Sequence, residues 1–259
     1  MSGWKRPGRS GAVLYALLAA VVGALTSAVC SVQIERKRPT TQLGHRGLPP
    51  GGLIVVANHT SLADGVLLAL AGQRLGRPLR MLGTAGIIDA PILKHLFRRL
   101  GFIPVRRRTA EAAHSLAAAA DAIAAGEAIA LYPEGRITRD PKFWPERSKT
   151  GAVRLALQTG APIVAVASVG AHRVVGRRRK MWRLLVNLVR RPTVQMRVGE
   201  PIDVRTLIGL APGEQASNEQ VKQAADAVMS QLVAMVEGLR GERAPDPLGV
   251  PRTDQPGNS

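Results

Sequence analysis

Short apolar runs alternate with longer helical patterns through the middle of the chain. The run LIVVA at residues 53–57 predicts a buried strand, and SLADGVLLALAGQRL after it predicts a helix. Further strands are predicted at about 79–82, 102–105, 127–131, 161–170 and 193–199. Because alternating strands and helices pack as a helix-covered sheet, we predict an α/β fold with a mixed, mainly parallel sheet flanked by helices.

Helix boundaries are indicated by proline and glycine. Further helices are predicted at 91–101, with Pro91 in the first turn, at 109–126 and at 148–160. Pro104 interrupts the strand pattern at 102–105, which favours a position at the edge of the sheet. A last helix is predicted from about Asn218 to Arg240. A polar, proline-rich tail follows at 241–259 and is predicted to be disordered.

The amino-terminal stretch from Gly11 to Val32 contains no charged residue and is flanked by basic residues. Its length suffices for a helix that crosses a bilayer. A helix or hairpin within one leaflet fits equally well, because the basic flanks would then stay beside anionic headgroups. A signal peptide is disfavoured by the length and by the lack of a small-residue cleavage site. We therefore expect residues 1–38 to attach to a membrane, before a catalytic domain at 39–240.

The net charge of +18 is large for 259 residues, and up to Ala110 the only acidic residues are Glu35, Asp64 and Asp89. Such a surface attracts anionic lipids or nucleic acid. Aromatic residues make up 3% of the chain and no nucleic-acid-binding motif is present, so we expect no nucleic-acid partner. The basic, apolar segment 176–191 has two open interpretations, a membrane-surface element or a core-packed element. The single cysteine, Cys30, excludes an internal disulfide.

Polar side chains that could carry chemistry follow the strand at 53–57. In the turn before a helix, His59 can meet Asp64, which would orient the ring and leave its second nitrogen free to accept a proton. The same residues also fit a purely structural turn, with Ser61 as the N-cap, Asp64 in the first helical turn and Asn58 as a turn former. The local pattern leaves both interpretations open.

Two further segments join a strand end to charged residues. LYPEGRIT at 131–138 brings Glu134, Gly135 and Arg136 to the end of an apolar strand, where either a substrate site or an ordinary turn would fit. GFIPVRRR at 101–108 ends in arginines whose guanidinium groups suit phosphate, although such a run is also common on solvated surfaces.

The order of these segments resembles the PlsC-type 1-acylglycerol-3-phosphate acyltransferase family. The matching blocks are N-H-x4-D (Asn58, His59, Asp64), G-x-I-P-V-x-R (Gly101 to Arg107), P-E-G (Pro133, Glu134, Gly135) and the pattern KTGAVRLALQTGAPIVAV (Lys149 to Val166). The resemblance covers about residues 53–170. It implies a glycerolipid acyltransferase-like fold and a role in phospholipid biosynthesis.

The resemblance also implies the reaction. A lysophospholipid hydroxyl, with 1-acyl-sn-glycerol-3-phosphate as first candidate, would attack an acyl thioester of coenzyme A or acyl carrier protein, giving phosphatidic acid. The resemblance implies that His59 is the general base and that Asp64 is its orienting partner, within the motif that includes Asn58. It also implies that Arg107, with Arg106, contacts the phosphate. Around the acceptor it implies Glu134, Gly135 and Arg136. No metal and no cofactor beyond the thioester co-substrate is expected, and the catalytic domain is expected on the cytoplasmic side of a membrane.

Two positions depart from the family pattern. The usual E-G-T-R-S reads Glu134 to Thr138 as EGRIT, so Ile137 replaces the usual arginine and Arg136 or Arg139 is left to substitute. Thr84 stands where a lysine is common. An acceptor other than a glycerophosphate is therefore one alternative. A lipid hydrolase, for which no G-x-S-x-G elbow is present, and a non-enzymatic membrane-binding protein are the others.

Overall fold

Seven strands form one sheet in the computed structural model, which describes residues 4–36, 47–91, 94–105, 111–176, 180–211 and 213–245. The strands are β1 Ser31–Arg36, β2 Leu53–Ala57, β3 Leu79–Thr84, β4 Ile103–Val105, β5 Ala128–Leu131, β6 Ile163–Val169 and β7 Thr193–Ile202. The helices are α1 Arg9–Val29, α2 Ala63–Arg74, α3 Ala85–Ile88, α4 Lys94–Arg99, α5 Glu111–Ala124, α6 Gly151–Thr159, α7 Ala171–Val174, α8 Lys180–Arg190, α9 Val204–Leu207 and α10 Asn218–Arg240.

The strand order is β1-β7-β6-β2-β5-β3-β4. All neighbouring strands are parallel except β6 and β7, which are antiparallel. The predicted α/β class with a mixed, mainly parallel sheet is therefore confirmed. β4 lies at the edge of the sheet, as Pro104 indicated, because a proline cannot donate a hydrogen bond to a second neighbour.

Helices cover both faces of the sheet, and the central strands are buried on both sides. Alternate residues of β2 enter two separate cores: Ile54 and Val56 pack on the side of α5, α6 and α10, whereas Leu53 and Val55 pack on the side of α2. This two-fold alternation is the geometry of a strand, and burial on both faces explains why the run LIVVA is apolar throughout.

β1 was not predicted. Its residues 31–36 follow α1 after one residue and pair in parallel with β7. The apolar stretch ending at Val32 was interpreted as one membrane segment, because an apolar pattern alone does not separate a helix end from the start of a buried strand. Among the described residues, the helix predicted at 91–101 is observed at Lys94–Arg99; residues 92 and 93 lie outside them. The tail from residue 246 onward also lies outside them.

α1 lies along the domain and contacts it near both ends. Before the helix, Arg6 Nε donates to Glu127 Oε1 at 3.0 Å, and within its first half the Tyr15 hydroxyl donates to the Leu79 carbonyl at 3.4 Å. Near its end, Arg191 Nη2 donates to the Ser27 carbonyl at 2.6 Å, and Cys30 is buried. α1 is the one helix within the described residues that is long and apolar enough to cross a membrane.

Candidate active site

His59 and Asp64 meet where β2 ends and α2 begins. The His59 Nδ1 and Asp64 Oδ2 atoms are 3.0 Å apart, with 17% of the histidine side chain and 2% of the aspartate side chain exposed. His59 lies in the turn before the helix, as predicted, so the five-residue spacing does not separate the two side chains. A carboxylate at Nδ1 favours the tautomer with its proton on Nδ1 and leaves Nε2 to accept a proton.

Local hydrogen bonds of the β2–α2 turn hold Asp64 in place. Asp64 Oδ2 accepts from the backbone N–H groups of Thr60 at 2.5 Å and Ser61 at 2.7 Å. The Ser61 hydroxyl oxygen in turn accepts from the Ala63 N–H at 3.0 Å. The helix begins at Ala63 with Leu62 at the N-cap, so the prediction of Ser61 as the N-cap is wrong by one residue. The structural and the chemical interpretations therefore coexist, because one carboxylate bonds both the turn and the ring.

Asn58 joins the ends of two neighbouring strands. Its side-chain amide donates to the Ser168 carbonyl at 2.9 Å, and its carbonyl oxygen accepts from the Ser168 N–H at 2.8 Å. Asn58 is 1% exposed. A buried side chain that satisfies both backbone groups of one residue acts as a clamp, and this clamp fixes the end of β2 against β6 directly before His59.

Tyr132 stacks on the His59 ring and was missed as a site residue, although it lies within the LYPEG segment. The two ring centroids are 4.0 Å apart and the planes differ by 11°. The Tyr132 hydroxyl is buried without a hydrogen-bond partner among the described residues, and burial raises the pKa of this phenol well above its usual value. The only available signal was an aromatic residue at the end of a predicted apolar strand.

Glu134 contacts the backbone of His59 rather than its ring. Glu134 Oε1 accepts from the His59 N–H at 3.0 Å, and Oε2 accepts from the Glu146 N–H at 3.1 Å. The Thr138 N–H donates to the His59 carbonyl at 2.7 Å, so the loop after β5 holds both backbone groups of the histidine. Burial is the main cause that raises the pKa of Glu134 from 4.5 to about 7.

The rest of the loop after β5 is tightly constrained. Gly135 has φ of 72°, and a Cβ atom on it would lie 3.1 Å from the Lys149 side chain, so both conformation and space favour glycine. Arg136 is exposed and pairs with Glu146, Nη2 to Oε1 at 3.0 Å. The Arg139 N–H donates to the same carboxylate at 3.0 Å. Of the two arginines suggested as substitutes for the family arginine, Arg136 contacts Glu146 through its guanidinium group and Arg139 through its backbone.

A second histidine, His172 of α7, follows β6 at the same end of the strands as His59. It was not predicted to be near the site. Its ring stacks on Phe143 with centroids 4.1 Å apart. Burial and the positive charges of Arg173 and Arg240 lower the pKa of His172 to about 4, so this ring is neutral near pH 7. Phe143 adopts φ of 63°, a conformation that a non-glycine residue rarely adopts, in the loop that follows Arg139.

The structure brings together five of the predicted site residues: Asn58, His59, Asp64, Glu134 and Gly135. Arg136 is close in sequence but occupied by Glu146. Arg106 and Arg107, the predicted phosphate contacts, lie outside the described residues. No group of three or more metal-ligating side chains occurs among the residues that are described.

A histidine and carboxylate pair at a strand end of a helix-covered sheet agrees with the family suggested by the sequence motifs. The model of the Acyltransferase family matches residues 31–169, more than half of the chain. The chain therefore belongs to the Acyltransferase family. The matched region includes β1, which is consistent with the place of that strand in the sheet.

Two individual proteins are similar to this chain. The chloroplastic 1-acyl-sn-glycerol-3-phosphate acyltransferase BAT2 of Brassica napus is 24% identical over 123 residues, which are 47% of this chain and 34% of that protein. The chain thus spans about a third of this relative's length. The crystal structure of the 1-acyl-sn-glycerophosphate (LPA) acyltransferase PlsC from Thermotoga maritima has a TM-score of 0.62 and 21% identity, covering 94% of this chain and 87% of that one. This likeness establishes the same fold.

Proposed function

We propose that this protein transfers a fatty acyl group from an acyl thioester to the free hydroxyl of a lysophospholipid. The acceptor we propose is 1-acyl-sn-glycerol-3-phosphate, and the product is phosphatidic acid. The observation that carries the proposal is the His59 Nδ1 to Asp64 Oδ2 contact of 3.0 Å at the end of β2. The acceptors that the names of the Brassica and Thermotoga acyltransferases give support this choice.

The proposed reaction needs one proton carrier. His59 Nε2 takes the proton of the acceptor hydroxyl while the oxygen forms a bond to the thioester carbonyl carbon. The tetrahedral intermediate then breaks its carbon–sulfur bond, and the departing thiolate of coenzyme A or acyl carrier protein receives the proton from the imidazolium. Asp64 stabilises that imidazolium through Nδ1. No covalent acyl-enzyme is required.

The acceptor phosphate would bind to Arg107, with Arg106 beside it, since guanidinium groups match phosphate oxygens in pairs. We propose that Glu134 and Gly135 shape this site by holding the loop after β5 against His59. For Arg107→Ala we expect a higher KM for the phosphorylated acceptor, corresponding to about 1.5–3 kcal/mol, with little change for an unphosphorylated one. An unchanged KM would place the phosphate elsewhere.

We also propose that α1 lies in one leaflet of a membrane rather than across it, with the catalytic domain on the cytoplasmic side. Support comes from the contacts of Arg6, Tyr15 and Ser27, which join both ends of the helix to the domain. A helix that crossed the bilayer would carry one of its ends away from these partners. The outward stripe of Val13, Leu17, Val21 and Leu25 would then face the acyl chains.

The decisive experiment is an acyl-transfer assay with purified full-length protein. Labelled acyl thioester is offered with a panel of lysolipids, and products are identified by mass. His59→Ala is expected to lower kcat by about 10²–10⁴. The matched control is His114→Ala, which changes an exposed histidine on α5, and it is expected to keep the parent rate. Near-parent activity of His59→Ala would contradict the general-base assignment.

A further inference from the structure

The amphipathic helix α8 presents its polar side to the protein and its apolar side outward. Trp182, Leu185, Leu188 and Val189 are 63%, 59%, 54% and 88% exposed, whereas Asn187 is 5% exposed. We call these four side chains the α8 apolar face. A helix on a water-facing surface normally has the opposite arrangement, with its apolar side turned to the core. The α8 apolar face therefore indicates an apolar medium outside the domain.

Polar contacts fix α8 in this orientation. The Asn187 side-chain amide donates to the carbonyls of Arg173 and Val174, each at 3.0 Å, and these carbonyls belong to α7. Arg183 Nη1 donates to the His172 carbonyl at 3.2 Å. Rotating the helix to bury the apolar face would break these bonds and leave the buried Val174 carbonyl without this donor, which is costly. The outward apolar side is thus a stable feature of the fold.

α8 packs directly beside α1, the other helix with an exposed apolar stripe. The Arg191 side chain, just after α8, donates to the Ser27 carbonyl near the end of α1 at 2.6 Å. On α1, Val13, Leu17, Val21 and Leu25 recur every four residues and are 59–65% exposed. The two helices are far apart in sequence, yet they place two apolar strips side by side. Such a patch on two adjacent helices differs from the isolated apolar residues common on soluble surfaces.

Charge selects the medium that covers this patch. Arg190 ends α8 and Arg191 follows it, and the sequence at 177–180 is entirely basic. Lys5 precedes α1, and Arg9 begins it. A second copy of the chain packed on the patch would bring these positive charges together, which is unfavourable. An anionic lipid surface instead accepts apolar side chains between its acyl chains and basic side chains at headgroup level.

We propose that the α8 apolar face inserts into the boundary between headgroups and acyl chains of an anionic bilayer, beside α1. The protein then contacts the membrane through two helices, one before the sheet and one between β6 and β7. α8 is hydrogen-bonded to α7, and α7 follows β6 at the same end of the strands as His59. Insertion of α8 would therefore hold the active-site end of the sheet close to the lipid surface. This consequence rests on the proposed function, whereas the insertion of α8 does not.

Tryptophan fluorescence tests the insertion directly. The full-length protein is mixed with vesicles of phosphatidylcholine and phosphatidylglycerol whose acyl chains are brominated near the headgroup. Trp144 is 1% exposed, and Trp4 donates to the Gly101 carbonyl, so Trp182 is the tryptophan placed to meet the lipid. We expect strong quenching in the parent and loss of most of it in Trp182→Phe. Equal quenching in both proteins would overturn the proposal. That result is also expected if a second copy of the chain, rather than lipid, covers the α8 apolar face.

A paired variant measures the contribution of the face to binding. Leu185→Gln/Val189→Gln is expected to weaken vesicle binding by about tenfold or more, because two side chains lose their apolar environment. The matched control is Leu207→Gln on α9, another exposed apolar position, and it is expected to bind as the parent does. Equal losses in both variants, or no loss in either, would contradict a specific role for α8.

The acyl-transfer assay separates this proposal from the proposed function. With substrates dispersed in detergent, Leu185→Gln/Val189→Gln is expected to keep the parent rate, since it changes no residue near His59. With substrates in vesicles, its rate is expected to fall in step with binding. Parent protein that binds vesicles through Trp182 but transfers no acyl group would refute the function and leave the membrane contact supported. Full activity of the paired variant in vesicles would refute the contact's role in presenting substrate.

Discussion

Asp64 and Glu134 are two buried carboxylates that flank His59, and they contact different parts of it. Asp64 accepts from the imidazole ring and from two backbone N–H groups of the β2–α2 turn. Within the described part of the chain, Glu134 accepts from two backbone N–H groups, one of which belongs to His59. In the proposed reaction, a carboxylate on the ring would stabilise the positive charge that forms when His59 accepts a proton. A carboxylate on the backbone fixes where the ring stands.

The same difference appears in the electrostatics of Glu134. Its hydrogen bonds lower its pKa, but burial raises it more, and the nearby carboxylates of Glu146 and Asp64 add to the increase. Two carboxylates close to one ring are therefore not equivalent. We infer that substitutions at Asp64 change chemistry, whereas those at Glu134 change position and stability. The following experiments test that distinction, from the largest expected effect to the smallest.

Asp64→Asn is expected to lower kcat by about 10²–10⁴. The amide can still accept backbone N–H groups, but it carries no charge to stabilise the imidazolium. The measurement is kcat of acyl transfer, with unfolding followed in parallel to confirm that the fold is retained. If Asp64→Asn and Glu134→Gln lowered kcat equally, the distinction between the two carboxylates would be lost.

Glu134 is expected to make stability depend on pH. Its pKa is about 7 in the folded protein and 4.5 as a free group. Between these values the folded state holds more protons than the unfolded state, so the free energy of unfolding falls as pH rises. The stabilisation is fully present below pH 4.5 and is lost as pH rises through about 7, amounting to about 3 kcal/mol.

Urea unfolding at about pH 5 and about pH 8 measures this effect. Glu134→Gln has no titrating group at this position, so its free energy of unfolding should change less between the two pH values than that of the parent. Its kcat should fall less than that of Asp64→Asn. If Glu134→Gln kept the full pH dependence of the parent's free energy of unfolding, another group would be responsible for it.

Gly135→Ala is expected to destabilise the loop after β5 by about 1–3 kcal/mol, because alanine is strained at φ of 72° and its Cβ would crowd Lys149. We expect to measure a lower unfolding midpoint and a raised KM, since the loop positions His59. Gly209→Ala serves as the control: it shares a positive φ but meets no neighbouring atom within 4 Å. Equal loss of activity in both would argue against a local effect on the site.

Arg136→Ala is expected to have the smallest effect, below about 1 kcal/mol on stability, because its pair with Glu146 is exposed. Its effect on KM for the phosphorylated acceptor should likewise be smaller than that of Arg107→Ala. A larger effect would mean that Arg136 leaves Glu146 and binds the phosphate in place of the family arginine.

The sequence predicted much of this site, but unevenly. Asn58, His59 and Asp64 were found because they lie within seven residues of each other and follow a clear strand. The role of Glu134 was predicted only as part of an acceptor site, since its bond to the His59 N–H joins residues 75 positions apart. The Asn58–Ser168 clamp spans 110 positions and had no sequence signal. Such contacts depend on the register of β2 with β5 and β6, which local pattern does not specify.

The sequence by itself determined the α/β alternation, the order of the motifs and the short spacing that lets His59 meet Asp64 in one turn. These follow from apolar periodicity and from hydrogen bonds between near neighbours, both of which are local. Only the tertiary structure decided that Tyr132 stacks on His59, that β1 joins the sheet and that α8 turns its apolar side outward. Periodicity defines the faces of a helix, but which face meets the protein depends on partners such as the carbonyls of α7, brought together by folding.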